Sequence, residues 1–476
     1  MRGRRRRLVP WLLAGTAVLA LGTMASAVPT SRAHAGAGCD VSRPATASYA
    51  NGHHARVRGR APVPCAVSIG LKSQESSIAV TRSGAVLVSP AETSTGVVGL
   101  ARSSDRGRRW QFADAAPVGT PHTGTPVDNC FCDPALYVDP TTNRVFFFSE
   151  DTFYCGGNLN YSDDEGRSWQ RTSLFGCPST QDYDTFVAAP PVTSKTSGYP
   201  NILYFCSQGP LVAAGPTREC VKSLDGGKTA TPVGSTGGTG LLPAPNLPSC
   251  SQYPLSQGHS MAADSHGSIY LPVTFCSDAA VAISHDEGTT WKYVRVGTAG
   301  SGLGTISIAA DDAGNLFVAW LDSNRRVWLS HSTDHGAHWS KPINVAPAGV
   351  FGESKLAVAA TATGRVAVAY YGTRSQTPGG ATSGYITESP NALAAKSVYW
   401  TGAVNNPKHP LCAPYDPSGQ WTLCNTTANN FSNRIDYIGV AFGRDGTPWA
   451  AFVAECTYVN NCAAQSGASP TVGTDT

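Results

Sequence analysis

Short apolar runs along this chain come in pairs split by a Gly- or Asn-containing turn, and the pair recurs. Seven copies open on a run of small and branched residues. They read Ser76-Ser-Ile-Ala-Val80, Pro134-Ala-Leu-Tyr-Val138, Asp184-Thr-Phe-Val-Ala188, His259-Ser-Met-Ala-Ala263, Thr305-Ile-Ser-Ile-Ala309, Ser354-Lys-Leu-Ala-Val358 and Asp436-Tyr-Ile-Gly-Val440. Their partners include Ala85-Val-Leu-Val88, Arg144-Val-Phe-Phe-Phe148, Ser268-Ile-Tyr-Leu271, Asn315-Leu-Phe-Val-Ala-Trp320, Arg365-Val-Ala-Val-Ala-Tyr370 and Thr447-Pro-Trp-Ala-Ala-Phe452. Paired runs of this kind predict antiparallel hairpins. A hairpin repeated every fifty or so residues predicts a closed array of similar sheets, an all-β propeller. The repeat count predicts seven blades, with six as the alternative. The copy from Asp436 runs out after its second strand, and Cys65-Ala-Val-Ser-Ile-Gly70 can supply a missing outer strand and close the ring.

A polar turn recurs out of phase with the hairpins. Its copies are Ser103-Ser-Asp105-Arg-Gly107-Arg-Arg-Trp110, Ser162-Asp-Asp164-Glu-Gly166-Arg-Ser-Trp169, Ser223-Leu-Asp225-Gly-Gly227-Lys-Thr-Ala230, Ser284-His-Asp286-Glu-Gly288-Thr-Thr-Trp291 and Ser332-Thr-Asp334-His-Gly336-Ala-His-Trp339. In such a turn the Asp carboxylate accepts backbone N–H bonds, and the Gly takes φ > 0 without steric cost. The Trp then plugs the gap between its sheet and the next. Ala230 replaces it in the third copy, which predicts looser packing there. These segments resemble the Asp-box, or BNR, repeats of sialidase-type propellers. Local turn chemistry already accounts for their residues, so they are read as fold markers and not as ligand sites.

Composition adds an export signal. Arg2 and Arg4 to Arg7 precede an apolar run from Leu8 to Leu21, and Ala25-Ser-Ala27 offers a cleavage site. That run is short for a membrane span. Residues 1–27 carry five Arg and no acid, so the formal charge of +3 becomes about −2 without them. Nothing then points to a nucleic-acid or anionic-membrane partner. Fourteen Cys in an exported chain imply disulfides. Close spacing suggests Cys39–Cys65, Cys206–Cys220, Cys250–Cys276, Cys412–Cys424 and Cys456–Cys462, with Cys130, Cys132, Cys155 and Cys177 as an open four-member set. The expected division is a signal peptide (1–27), an N-terminal leader (28–64), the propeller (65–462) and a mobile tail (463–476). Long Gly/Pro/Ser-rich insertions are expected within 189–258 and 372–434.

Charged residues make up only 14% of the chain, yet Glu75, Asp133, Asp184, Glu353 and Asp436 stand at or just before the starts of predicted innermost strands. Asp182 lies two residues before Asp184. Carboxylates crowded round one axis repel, which raises some pKa values and pairs a general acid with a base, as glycoside hydrolysis requires. They are the candidate catalytic residues, with Arg434, Tyr437, Tyr183 and His259 as candidate substrate contacts. The same acids can instead cap N–H groups of neighbouring strands or hold Ca²⁺. No cofactor is expected, and a metal site at Cys130-Phe-Cys132 is the rival that oxidising export sets below bridges; His331, His335 and His338 surround a box turn and lack the pattern of a metal-binding helix. Asn425 and Asn430 match a glycosylation pattern.

The sialidase resemblance spans roughly residues 70–455 and implies an active site at the channel mouth, with the boxes at the outer rim of the opposite face. Such enzymes hold the substrate carboxylate with three Arg and use a Tyr–Glu nucleophile pair and an Asp acid/base. Their early Arg-Ile-Pro motif has no counterpart in Leu71-Lys-Ser-Gln-Glu-Ser-Ser-Ile-Ala-Val80. The resemblance is therefore to the scaffold, which does not fix function. The reading is a secreted, monomeric, carbohydrate-active propeller acting on extracellular glycans, with a non-catalytic glycan- or protein-binding propeller as the alternative.

Overall fold

The computed structural model describes residues 30–32, 46–49, 64–71, 76–92, 98–113, 115, 134–149, 158–171, 183–212, 215–233, 242, 260–275, 277–299, 306–376, 380–405, 410–411, 438–454 and 469–475. Their regular structure is entirely β. None forms a helix long and apolar enough to cross a membrane. The strands make seven antiparallel sheets of four or five strands, taken here as blades 1 to 7. Blades 1 to 6 are built on residues 77–113, 135–171, 185–232, 262–298, 306–344 and 351–403, and blade 7 on 439–454 with strands from both termini. The innermost strands are Ser77–Val80, Ala135–Val138, Thr185–Ala189, Ala262–Ala263, Ile306–Ala310, Phe351–Thr361 and Gly439–Phe442. Each packs on the next, and the last on the first. The ring is closed, a β-propeller.

Closure uses both ends of the chain. Ser469–Asp475 pairs with Pro448–Ala454 on one side and with Pro64–Ser68 on the other. The outer strand expected from the Cys65 segment is therefore present. Within the expected tail, Ser469–Asp475 is the third strand of blade 7. The leader also contributes: Thr30–Arg32 adds a fifth strand to blade 1 and Thr46–Tyr49 one to blade 6. Much of the two expected insertions is blade as well. Residues 202–232 supply three strands of blade 3, and 382–403 supply two of blade 6.

The apolar core lies between blades. Each buried cluster draws on two neighbouring sheets, as where Phe146, Phe148 and Leu159 of blade 2 meet Phe186, Leu203 and Phe205 of blade 3. Trp110 and Trp449 likewise join blade 1 to blade 7. Stacked sheets hide both faces of nearly every strand, so a chain of this length needs no single large core.

The five Ser-x-Asp-x-Gly turns share one hydrogen-bond pattern. The Ser hydroxyl donates to the Asp Oδ1 at 2.8–3.0 Å and accepts the Gly N–H at 2.8–2.9 Å. The Asp Oδ1 also accepts the N–H four residues on. The residue between Asp and Gly is left-handed in every copy, including Arg106, Glu165, Glu287 and His335 at φ of 57–64°. That geometry turns it toward the preceding blade. Arg106 pairs with Asp445 at 2.9 Å, Glu165 accepts Ser83 N–H at 3.1 Å, and Gly226 offers its carbonyl to Arg144 at 3.2 Å. Glu287 accepts three N–H groups from Val192, Thr193 and Ser194, and His335 Nδ1 lies 3.0 Å from Asp264 Oδ2. Each partner sits in the loop joining the first two strands of the preceding blade, so every such turn is also an inter-blade latch.

Candidate functional site

The innermost strands begin at one mouth of the central channel, where the candidate acids were expected. Asp184, Glu353 and Tyr183 fall within the described residues. Glu75, Asp133, Asp436, Asp182, Arg434, Tyr437 and His259 lie outside them, as do Asn425 and Asn430.

Asp184 immediately precedes the innermost strand of blade 3 and is fully buried. Tyr183 before it is left-handed at φ 57°, a conformation that costs a bulky residue energy and must be held by its surroundings. Here the buried Arg218 donates from Nη1 to the Tyr183 carbonyl at 3.1 Å. The Tyr183 ring is turned toward blade 6, where Lys355 Nζ lies 3.4 Å from its hydroxyl and 4.9 Å from the ring centroid. Blades 3 and 6 stand three places apart in the ring, so this contact crosses the channel. Both side chains are buried, and the cation meets the ring face that attracts it.

Glu353 lies on Phe351–Thr361 where its pairing with the second strand of blade 6 shifts register, between Glu353 and Leu356. The bulge re-aims the side chains beside it, and Lys355 is one of them. Arg325 of blade 5 donates Nη1 to the Glu353 carboxylate. Its Nη2 reaches the carbonyls of Ser375 at 2.9 Å and Gln376 at 2.7 Å. A guanidinium shared among a carboxylate and two carbonyls fixes the acid's direction. Near Arg218, burial pushes the Glu219 carboxyl up to about 7, the range in which a carboxyl can give or take a proton at neutral pH.

Among the described residues, four caps between neighbouring inner strands come from hydroxyls. Ser77 accepts Leu136 N–H at 3.1 Å and Tyr137 accepts Ala188 N–H at 3.0 Å. Ser260 accepts Ile308 N–H at 2.9 Å, and Ser307 accepts Val358 N–H at 3.0 Å.

Lys355, Arg325, Arg218 and Glu219 were missed from the sequence. Lys355 had a signal, because Ser77, Ala135, Thr185, Ser260 and Ile306 fill its place in the other described repeats and it alone is cationic. Arg325 had none, since its role depends on a left-handed turn, φ 59°, reaching into the next blade. One expected disulfide can be placed. Cys206–Cys220 joins directly paired positions of blade 3, and Cys65 is disulfide-bonded to a partner outside the described residues. The remaining expected pairs lie outside them too.

No known protein-family profile matches the chain. A xyloglucanase from a Paenibacillus species is 27% identical over 270 residues, covering 51% of this chain and 23% of that enzyme. The chain thus matches less than a quarter of that relative's length. Among solved structures, a sialidase from Streptococcus pneumoniae superposes with TM-score 0.39 at 12% identity, over 84% of this chain and 68% of that one. The intramolecular trans-sialidase from Ruminococcus gnavus gives 0.40 at 13%, over 84% and 95%. An α-L-arabinanase from Penicillium chrysogenum gives 0.42 at 12%, over 72% and 98%.

Proposed function

We propose that the protein is an extracellular glycoside hydrolase whose acid and base come from the carboxylates at the channel mouth: Glu75, Asp133, Asp184, Glu353 and Asp436. Arg434, Tyr437, Tyr183 and His259 would contact the sugar. The observation that carries this reading is that Asp184 and Glu353 occupy the starts of innermost strands on one face of the ring, with Lys355 and Tyr183 meeting between their blades. Carboxylates with differing surroundings, beside an aromatic wall and a cation, are what protonation of a glycosidic oxygen and stabilisation of an oxocarbenium-like state call for. A xyloglucanase among the sequence relatives is consistent with a polysaccharide substrate. The Cys206–Cys220 bridge suits an oxidising compartment, in keeping with the export signal expected in residues 1–27.

The second reading, a non-catalytic glycan- or protein-binding propeller, is favoured by the Arg325–Glu353 ion pair and the Lys355–Tyr183 contact, which engage the described groups with one another. One experiment separates the two. The purified, oxidised protein is screened against polysaccharides and aryl glycosides, sialosides included, with and without Ca²⁺. Hydrolysis of one class is expected, falling about a hundredfold or more in Glu353→Gln and Asp184→Asn variants that still melt cooperatively. A clean negative from folded protein across the panel overturns the catalytic reading.

A further inference from the structure

Far from the channel mouth, the latch between blades 4 and 5 has a composition that the other four lack. Asp264, His266 and His335 each present a ligand-type atom, and these atoms all lie within 4.8 Å of one another. Asp264 and His266 belong to the loop between the first two strands of blade 4. His335 is the left-handed residue of the blade 5 turn. The equivalent latch residues elsewhere are Arg106, Glu165, Gly226 and Glu287, and none meets a second histidine.

The carboxylate is held as metal-ligating carboxylates usually are, by groups behind it. Its Oδ1 accepts the N–H groups of His266 at 2.9 Å and Ser268 at 3.0 Å, and its Oδ2 accepts the Tyr270 hydroxyl at 2.8 Å. Burial alone would raise the Asp264 carboxyl; these bonds and His335 hold it below the usual value. It is thus charged, buried and aimed at the gap between the blades. His335 Nδ1 is already 3.0 Å from Oδ2, and the two imidazoles meet edge to face with centroids 5.4 Å apart. Both histidines are exposed.

We infer that Asp264, His266 and His335 bind a divalent transition-metal ion, Zn²⁺ by preference, which staples blade 4 to blade 5. Two imidazole nitrogens and one carboxylate oxygen at about 2.0–2.2 Å form three corners of a tetrahedron, with water at the fourth. Their mutual separations would settle at roughly 3.3–3.5 Å, as that geometry requires, the His335–Asp264 pair opening slightly from 3.0 Å.

The test uses the full, oxidised protein after chelator treatment, titrated with Zn²⁺ by calorimetry and with Co²⁺ by visible absorption. One equivalent with micromolar or tighter affinity is expected, with a d–d spectrum of imidazole–carboxylate character and a melting temperature raised by the metal. His266→Ala leaves the His335–Asp264 hydrogen bond in place, so it should fold normally, yet it should weaken Zn²⁺ at least tenfold and abolish the thermal gain. His338→Ala, in the same turn but outside the cluster, should change neither. Absence of saturable binding overturns the assignment. So does binding or a thermal gain that survives in His266→Ala, which would put the metal elsewhere.

Discussion

At the scale of single residues, the molecule depends on a few buried carboxyls whose surroundings oppose one another. Glu287 is 2% exposed. Burial would raise its pKa, but bonds from Ser194, Thr193 and Lys222 hold it far below the usual carboxylate range. Removing it strands three backbone N–H groups and the Lys222 ammonium. Glu287→Ala should therefore cost about 3 kcal/mol or more, measurable by denaturant melts. Because its folded pKa is depressed, its contribution is present above the unfolded value of 4.5 and fades as the pH falls below it. Glu219 behaves oppositely. Burial raises it to about 7 from 4.5, so its protonated form is favoured only in the folded state. Stability should decline as the pH climbs from about 4.5 through 7 and then level off. Glu219→Gln should consequently match the parent near pH 4 and melt higher at pH 8, by on the order of 1 kcal/mol. A variant that gains nothing at pH 8 would exclude the raised carboxyl.

At the scale of elements, the polar turn shows what a sequence discloses and what it withholds. Ser, Asp and Gly were legible because each satisfies a demand inside the same turn. Gly336 is one case: its φ is +85°, and an added Cβ would stand 2.7 Å from Ile283 Cδ1 of the preceding blade. Gly336→Ala should cost roughly 1–3 kcal/mol from backbone conformation alone, with the clash adding to it; a thermal melt unchanged within error would refute that account. The residue before each turn Gly was not legible. Arg106, Glu165, Glu287 and His335 follow no single chemistry, because each answers to a partner on another blade. Tyr183 and Lys355 were hidden for the same reason: their contact spans 172 positions of sequence, and no local pattern reports it. The inner-strand repeat was clear enough to place all seven blades, since alternation between two buried faces imposes small and branched residues. Its polar positions were less clear, because hydroxyls at Ser77, Tyr137, Ser260 and Ser307 also cap neighbouring inner strands.

At the scale of the whole molecule, the decisive feature is that the ring closes through both termini. A tail rich in Ser, Gly and Thr reads as loose sequence, yet Ser469–Asp475 fills the gap between Pro448–Ala454 and Pro64–Ser68. It is the middle rung of two ladders, so its removal separates the N-terminal strand from the blade as well as itself. With cores shared between neighbours, an open blade 7 also uncovers the apolar faces it offers to blades 6 and 1. The strands Thr30–Arg32 and Thr46–Tyr49 differ in kind: each adds a fifth strand at the outer edge of a blade that has four without it. Ending the chain at residue 468 should therefore lower the melting temperature by on the order of ten degrees or abolish a cooperative transition, whereas deleting residues 28–50 should cost no more than about a few degrees. The order of the two effects is the informative outcome. If the tail deletion proves the milder, closure rests on the cores between blades and the terminal strand is dispensable.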